Sequence, residues 1–110
     1  MRFKSFYSCR SSGDVVDSNE PMEFDKDTAV SVAMQILRDP GDFIGFVGTN
    51  DKVLQFYYED SGEIWVEHPS QRDGGSFGKY ISLNDLESVL INLPEKFHKM
   101  CIPSLEFRSW

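Results

Sequence analysis

Hydrophobic positions along this chain follow two periods, one of two residues and one near 3.6, in separate stretches. The two-residue period is clearest between residues 43 and 68. Phe43-Ile44-Gly45-Phe46-Val47 is an apolar run that ends at a turn cluster, Gly48-Thr49-Asn50-Asp51. The next stretch alternates, with Leu54, Phe56 and Tyr58 on one side and Val53, Gln55, Tyr57 and Glu59 on the other. Asp60-Ser61-Gly62 supplies a hairpin loop, after which Glu63 to His68 alternates until Pro69. Ile64 and Val66 share one face there, while Glu63, Trp65 and Glu67 share the opposite one. The pattern predicts a three-stranded antiparallel meander with one core face and one partly exposed face.

Helical spacing brackets this meander. Ala29, Val32, Ala33, Ile36 and Leu37 recur at helical intervals behind Asp25 or Asp27 as N-cap, and Asp39-Pro40-Gly41 ends the run after Arg38. A second helix opens at Ser82-Leu83-Asn84-Asp85, a capping-box pattern with Asp in place of Glu or Gln. Its stripe is Leu83, Leu86, Leu90 and Leu93 with Val89 beside it, and Pro94 closes it. Phe97 and Met100 are expected to close over the core. Phe77 to Ile81 and Ser104 to Arg108 read as further strands, and Ser70 to Gly75 as a polar, glycine-rich loop. The N-terminal residues 1–24 read as an edge strand, Arg2 to Tyr7, followed by a mobile acidic loop from Ser11 to Pro21. The expected fold is α+β: an antiparallel sheet of about five strands with a central meander, packed with two helices, in a single domain over residues 1–110.

Composition supports one core and excludes several functions. A chain of 110 residues has the size of one domain, and 40% hydrophobic content is too apolar for a disordered chain. No apolar run reaches the about 20 residues a membrane helix needs. The basic N-terminus lacks an apolar segment behind it, so it does not read as a secretory signal, and Cys9 and Cys101 are expected to be reduced thiols. The expected location is the cytoplasm. Charge is uneven. Residues 1–12 carry Arg2, Lys4 and Arg10 and no acid, whereas residues 13–67 carry thirteen acids against Lys26, Arg38 and Lys52. Nucleic acid is an unfavourable partner for such a field, and a basic protein a favourable one. Excess carboxylate that merely keeps a small protein soluble is the simpler reading of the same numbers.

Catalytic patterns fail on inspection. Gly74-Gly75-Ser76-Phe77-Gly78 has the form G-x-S-x-G, with Asp85 and His98 following in hydrolase order. A nucleophile elbow needs a strand before the serine and a helix after it, and the sequence here offers a polar loop and then a strand. Asp73 and Tyr80 break the phosphate-loop pattern around Lys79. His98 and Cys101 have no second ligand pair, so no metal site and no cofactor is expected. Glu59, Glu63 and Glu67 around one hairpin read as a solvated face before they read as a glycosidase pair. Trp65 admits two readings: a ring covering one end of the core, or an anchor of an interaction face with Tyr57 and the carboxylates around it.

The middle of the chain also carries a resemblance. Phe43 to Val47, Leu54-Gln55-Phe56, Ile64-Trp65-Val66-Glu67-His68-Pro69, the loop Gly74-Gly75-Ser76 and the approach to Ser82-Leu83-Asn84-Asp85-Leu86 resemble bacterial polymorphic-toxin immunity proteins. These include the immunity proteins of contact-dependent growth-inhibition systems. The resemblance spans residues 27–93 and implies a non-catalytic, cytoplasmic α+β inhibitor of a cognate toxin C-terminal domain, a basic nuclease being the expected type. It carries over no contact residue. The hairpin pattern itself nominates Tyr57, Glu59, Asp60, Glu63, Trp65 and Glu67 as partner-binding residues. Two other classes stay open: a different protein-binding inhibitor or adaptor, for instance phage-encoded, and a small ligand-binding protein or hydrolase using the Gly74–Gly78 loop.

Overall fold

Every element of the computed structural model, which describes residues 2–10 and 12–110, follows from one wide sheet with helices on one side. In chain order the elements are β1 (Arg2–Ser8), β2 (Val15–Val16), β3 (Met22–Asp25), α1 (Lys26–Ile36), β4 (Phe43–Val47) and β5 (Val53–Tyr58). Then come β6 (Ile64–Ser70), β7 (Gly75–Ile81), α2 (Leu83–Ile91) and β8 (Glu106–Ser109). The sheet runs β2-β1-β4-β5-β6-β7-β8, with β3 also pairing β1, and every pairing is antiparallel. The α+β class and the two helices agree with the sequence. The sheet is wider than expected, with eight strands among the described residues against about five.

The difference lies mainly at the N-terminus. β1 is not an edge strand: it pairs β4 on one side and both β2 and β3 on the other. Tyr7 and Ser8 face Val16 and Val15, while Arg2 to Ser5 face Asp25 to Met22. The expected mobile loop thus doubles back, supplying β2 within it and leading into β3 directly after it; Ser11, at its start, lies outside the described residues. β6 also runs through Pro69, where a strand end was expected. Proline is tolerated there because the β5 ladder stops at Glu67, so Pro69 has a strand neighbour on one side only.

Core side chains come from one face of the sheet. Phe3, Ile44, Phe46, Leu54, Phe56, Ile64, Val66 and Ile81 pack with Ala29 and Ala33 of α1 and Leu86 and Leu90 of α2. Each large aliphatic or aromatic side chain so buried contributes about 1.5–3 kcal/mol before entropy is set against it. Phe97 joins them, stacked on Phe3 at 5.8 Å between ring centroids. Met100 does not: it is 77% exposed, and Ile102 fills the place expected of it. Leu83 is likewise exposed, because it sits in the first turn of α2 ahead of the buried stripe Leu86, Leu90 and Leu93.

Helix starts differ in chemistry. Asp25 caps α1 by accepting the Thr28 N–H at 2.8 Å. At α2 the expected capping box is absent; the Ser82 hydroxyl donates to the Asp85 carboxylate at 2.9 Å and takes no backbone N–H. In a capping box this carboxylate would accept the N-cap backbone N–H; here it accepts the Ser82 hydroxyl instead. One buried acid holds the junction after α1. Asp42 accepts backbone N–H groups from Arg10 at 2.7 Å, Asp39 at 2.8 Å and Arg38 at 3.2 Å. That ties the end of β1 to the helix exit.

Candidate functional site

With both helices on one face, the other face of the sheet carries its own set of large side chains. Strand register decides which ones meet. Phe43 lies opposite Tyr57, Tyr57 opposite Trp65, and Trp65 opposite Tyr80, so four rings stand in a row across β4 to β7. Phe43 and Tyr57 stack at 5.3 Å between centroids, and Trp65 meets Tyr80 at 4.9 Å. Phe6 of β1 extends the row, 6.4 Å from Phe43 and edge-on to it.

Two glycines let the rings lie down. The Phe6 ring covers Gly45, where a Cβ would come within 2.2 Å of it, and the Trp65 ring covers Gly78. This explains a burial that no helix provides: Trp65 is only 9% exposed and Phe6 only 8%. Trp65 therefore does not close one end of the helix-packed core, the first of its two sequence readings. Trp65 stands on the helix-free face and is covered from the C-terminal side. The Arg108 guanidinium lies 4.3 Å from the Trp65 ring centroid and 5.9 Å from that of Tyr80.

Carboxylates surround this row. Glu67 accepts the Trp65 indole N–H at 3.1 Å, which fixes the ring's orientation. A cleft of about 240 Å³ opens between Trp65, Tyr80, Arg108 and Trp110, with Glu59 and Glu67 also lining it. Burial pushes the Tyr57 phenol up from its ordinary value, with Glu67 and then Glu59 adding to the effect. Glu63, two residues before Trp65, is exposed on the same face. The structure therefore brings Tyr57, Glu59, Glu63, Trp65 and Glu67 to one surface. Asp60 belongs to the turn between β5 and β6 and is exposed there, outside the cleft.

Phe43, Tyr80, Arg108 and Trp110 complete the surface and were not nominated by the sequence. Phe43 and Tyr80 gave a signal in their strands, but only register shows that they align with Tyr57 and Trp65. Arg108 and Trp110 arrive from β8 and the residue after it, a strand with four exposed residues and little pattern of its own. The Trp110 indole N–H donates to the Ser76 hydroxyl at 3.2 Å.

That bond also describes the G-x-S-x-G segment. Ser76 is the second residue of β7 and is followed by five more strand residues, not by a helix. The other two residues of the hydrolase order are engaged elsewhere: Asp85 accepts the Ser82 hydroxyl, and His98 Nδ1 accepts the Met100 N–H at 3.2 Å. Cys101 is a half-buried thiol whose pKa burial raises, the condition of an unreactive cysteine.

A larger cleft, about 660 Å³, lies on the side of β6 near His68 and is lined by Lys52, Arg72 and Lys99 together with Asp51 and Asp73. His68 Nδ1 donates to the Val53 carbonyl at 2.9 Å, so its proton sits on that nitrogen. The charges around this cleft are mixed and exposed, in contrast to the ordered rings and carboxylates of the sheet face.

No family model, curated protein or solved structure matches this chain. No helix among the described residues is long and apolar enough to cross a membrane.

Proposed function

We propose that this protein is a non-catalytic, cytoplasmic immunity-type inhibitor that binds a basic toxin domain through the helix-free face of its sheet. The observation that carries this reading is the aligned row Phe43-Tyr57-Trp65-Tyr80, flanked by Glu59, Glu63 and Glu67. Rigid aromatic side chains lose little entropy on contact and supply most of the energy at protein interfaces. The carboxylates around them steer a cationic partner and reject an anionic one. A net charge of −7 extends that preference beyond the contact itself. The sequence resemblance to toxin immunity proteins points to the same kind of partner.

The test is capture of the tagged protein's partner from its host, followed by expression of that partner alone and with the inhibitor. A basic protein that arrests growth alone, is relieved by the wild type and is not relieved by Glu59→Lys/Glu63→Lys supports the proposal. A partner whose toxicity is relieved equally by both forms contradicts it. So does the lack of any bound partner in cells that contain a candidate toxin.

A further inference from the structure

Arg108 occupies the aromatic platform without satisfying the carboxylates beside it. Its guanidinium lies over Trp65 and Tyr80, yet among the described residues the one ion pair is Arg2–Glu23, on the far side of the sheet order. Glu59 and Glu67 line the same cleft, and Glu67 is engaged only by the Trp65 indole. Arg108 reaches the platform from β8, whose four residues are exposed and whose pairing is with β7 alone.

We infer that the Trp65–Tyr80 platform is a seat for one arginine of the partner, held in the free protein by the chain's own Arg108. The inference rests on the proposed partner-binding role of this face. A guanidinium entering from outside can reach ring faces and carboxylate together, whereas Arg108 reaches only the rings. Planar stacking with a bidentate carboxylate contact favours arginine over lysine at such a seat. Displacement is undemanding. Only the Arg108 side chain must swing away, since the β7–β8 backbone pairing from Gly78–Glu106 to Gly75–Ser109 does not depend on it. An exposed cation–π contact of this kind holds back a competitor by about two- to five-fold. Arg108 therefore acts as a stand-in that keeps the rings covered and makes occupation of the seat selective for a stronger guanidinium contact.

Agmatine, which carries a guanidinium on a short aliphatic chain, is the probe. The chain has two tryptophans and both line the cleft, so their indole N–H resonances report binding directly. Agmatine is expected to shift the Trp65 resonance saturably, to bind Arg108→Ala about two- to five-fold more tightly than wild type, and to bind Glu59→Gln more weakly. Putrescine, with amines in place of the guanidinium, is expected to bind less tightly than agmatine. If Arg108→Ala loosens β8, Arg108→Gln keeps the stem, removes the charge and is expected to move affinity the same way. Agmatine binding to neither variant more tightly than to wild type, or no saturable shift at all, overturns the seat. If the partner then still requires Glu59 and Glu63, the proposed function stands without it. Partner binding indifferent to Glu59 and Glu63 overturns the function instead.

Discussion

The Trp65 ring lies so close to the backbone of Gly78 that a Cβ there would come within 2.4 Å of Trp65 Cζ2 and 2.8 Å of the Val66 carbonyl oxygen. Gly78→Ala must therefore lift the ring or shift β7. The expected cost is on the order of 1–3 kcal/mol, the range for forcing an extra methyl into packed surroundings. Urea unfolding measures it, and the indole emission should move toward that of a more solvated tryptophan. Unchanged stability with unchanged emission would mean that the ring does not rest on this glycine.

Asp42 joins the end of β1 to the exit of α1. Its fully buried carboxylate satisfies three backbone N–H groups from two segments. Asp42→Ala leaves those donors without their acceptor, and a loss of about 3 kcal/mol or more is expected. Denaturant melts check the size of the loss. Equal stability of Asp42→Ala and wild type would contradict the bonding.

Ser5 works in the opposite direction. Its buried hydroxyl, on the core face of β1 opposite Phe46, has no hydrogen-bond partner among the described residues. Removing a desolvated, unpaired hydroxyl relieves a penalty, so Ser5→Ala should be neutral or stabilising by about 1 kcal/mol. A clear destabilisation by thermal melting would show that the hydroxyl has a partner after all.

Acid stability should depend on Asp25. Accepting the Thr28 N–H, first through the backbone and then with help from the Thr28 side chain, lowers its pKa below the ordinary carboxylate value. A lowered folded-state value means that the contribution is present above the unfolded value near 4 and is lost as pH falls through the folded one. Asp25→Asn is therefore expected to flatten the fall in melting temperature below pH 4. The same slope in both proteins would rule out this source.

Tyr57 gives the alkaline counterpart. Its pKa is raised by burial first, then by Glu67 and Glu59. A raised value means that the phenol's contribution is complete below the unfolded value near 10 and disappears as pH rises through the folded one. Phenolate absorbance should show Tyr57 titrating above the ordinary tyrosine value, and Glu67→Gln should bring it down. Titration of Tyr57 unaffected by Glu67→Gln would separate the two side chains.

The legible parts of the molecule were those with strong local pattern. The meander of β4 to β6 and both helices follow from alternation, helical spacing and the turn residues between them. So does the placement of Glu63, Trp65 and Glu67 on one face, which period two alone dictates. The rest depends on long-range pairing. β2 has two residues and β3 four, in an acidic stretch, and neither could announce itself without β1 to pair with. β1 looked like an edge for the same reason. The alignment of Phe43 and Tyr80 with Tyr57 and Trp65 is a matter of exact register between successive strands, which alternation alone does not fix, and Arg108 arrives on the rings from β8, across the intervening helix α2. Gly78 reads in the sequence as part of a loose glycine pattern; in the fold it is the floor beneath Trp65.

The central claim, that the helix-free face meets a basic partner, is tested most directly by a pair of charge-matched double variants. Glu59→Lys/Glu63→Lys changes the sheet face, and Asp27→Lys/Glu87→Lys changes exposed positions on the helices by the same net charge. Partner affinity measured at one fixed salt concentration should fall by about a hundred-fold or more for the first pair and by only a few-fold for the second. Equal losses would reduce the effect to bulk charge, and a larger loss from the helix pair would place the interface on the other side of the sheet.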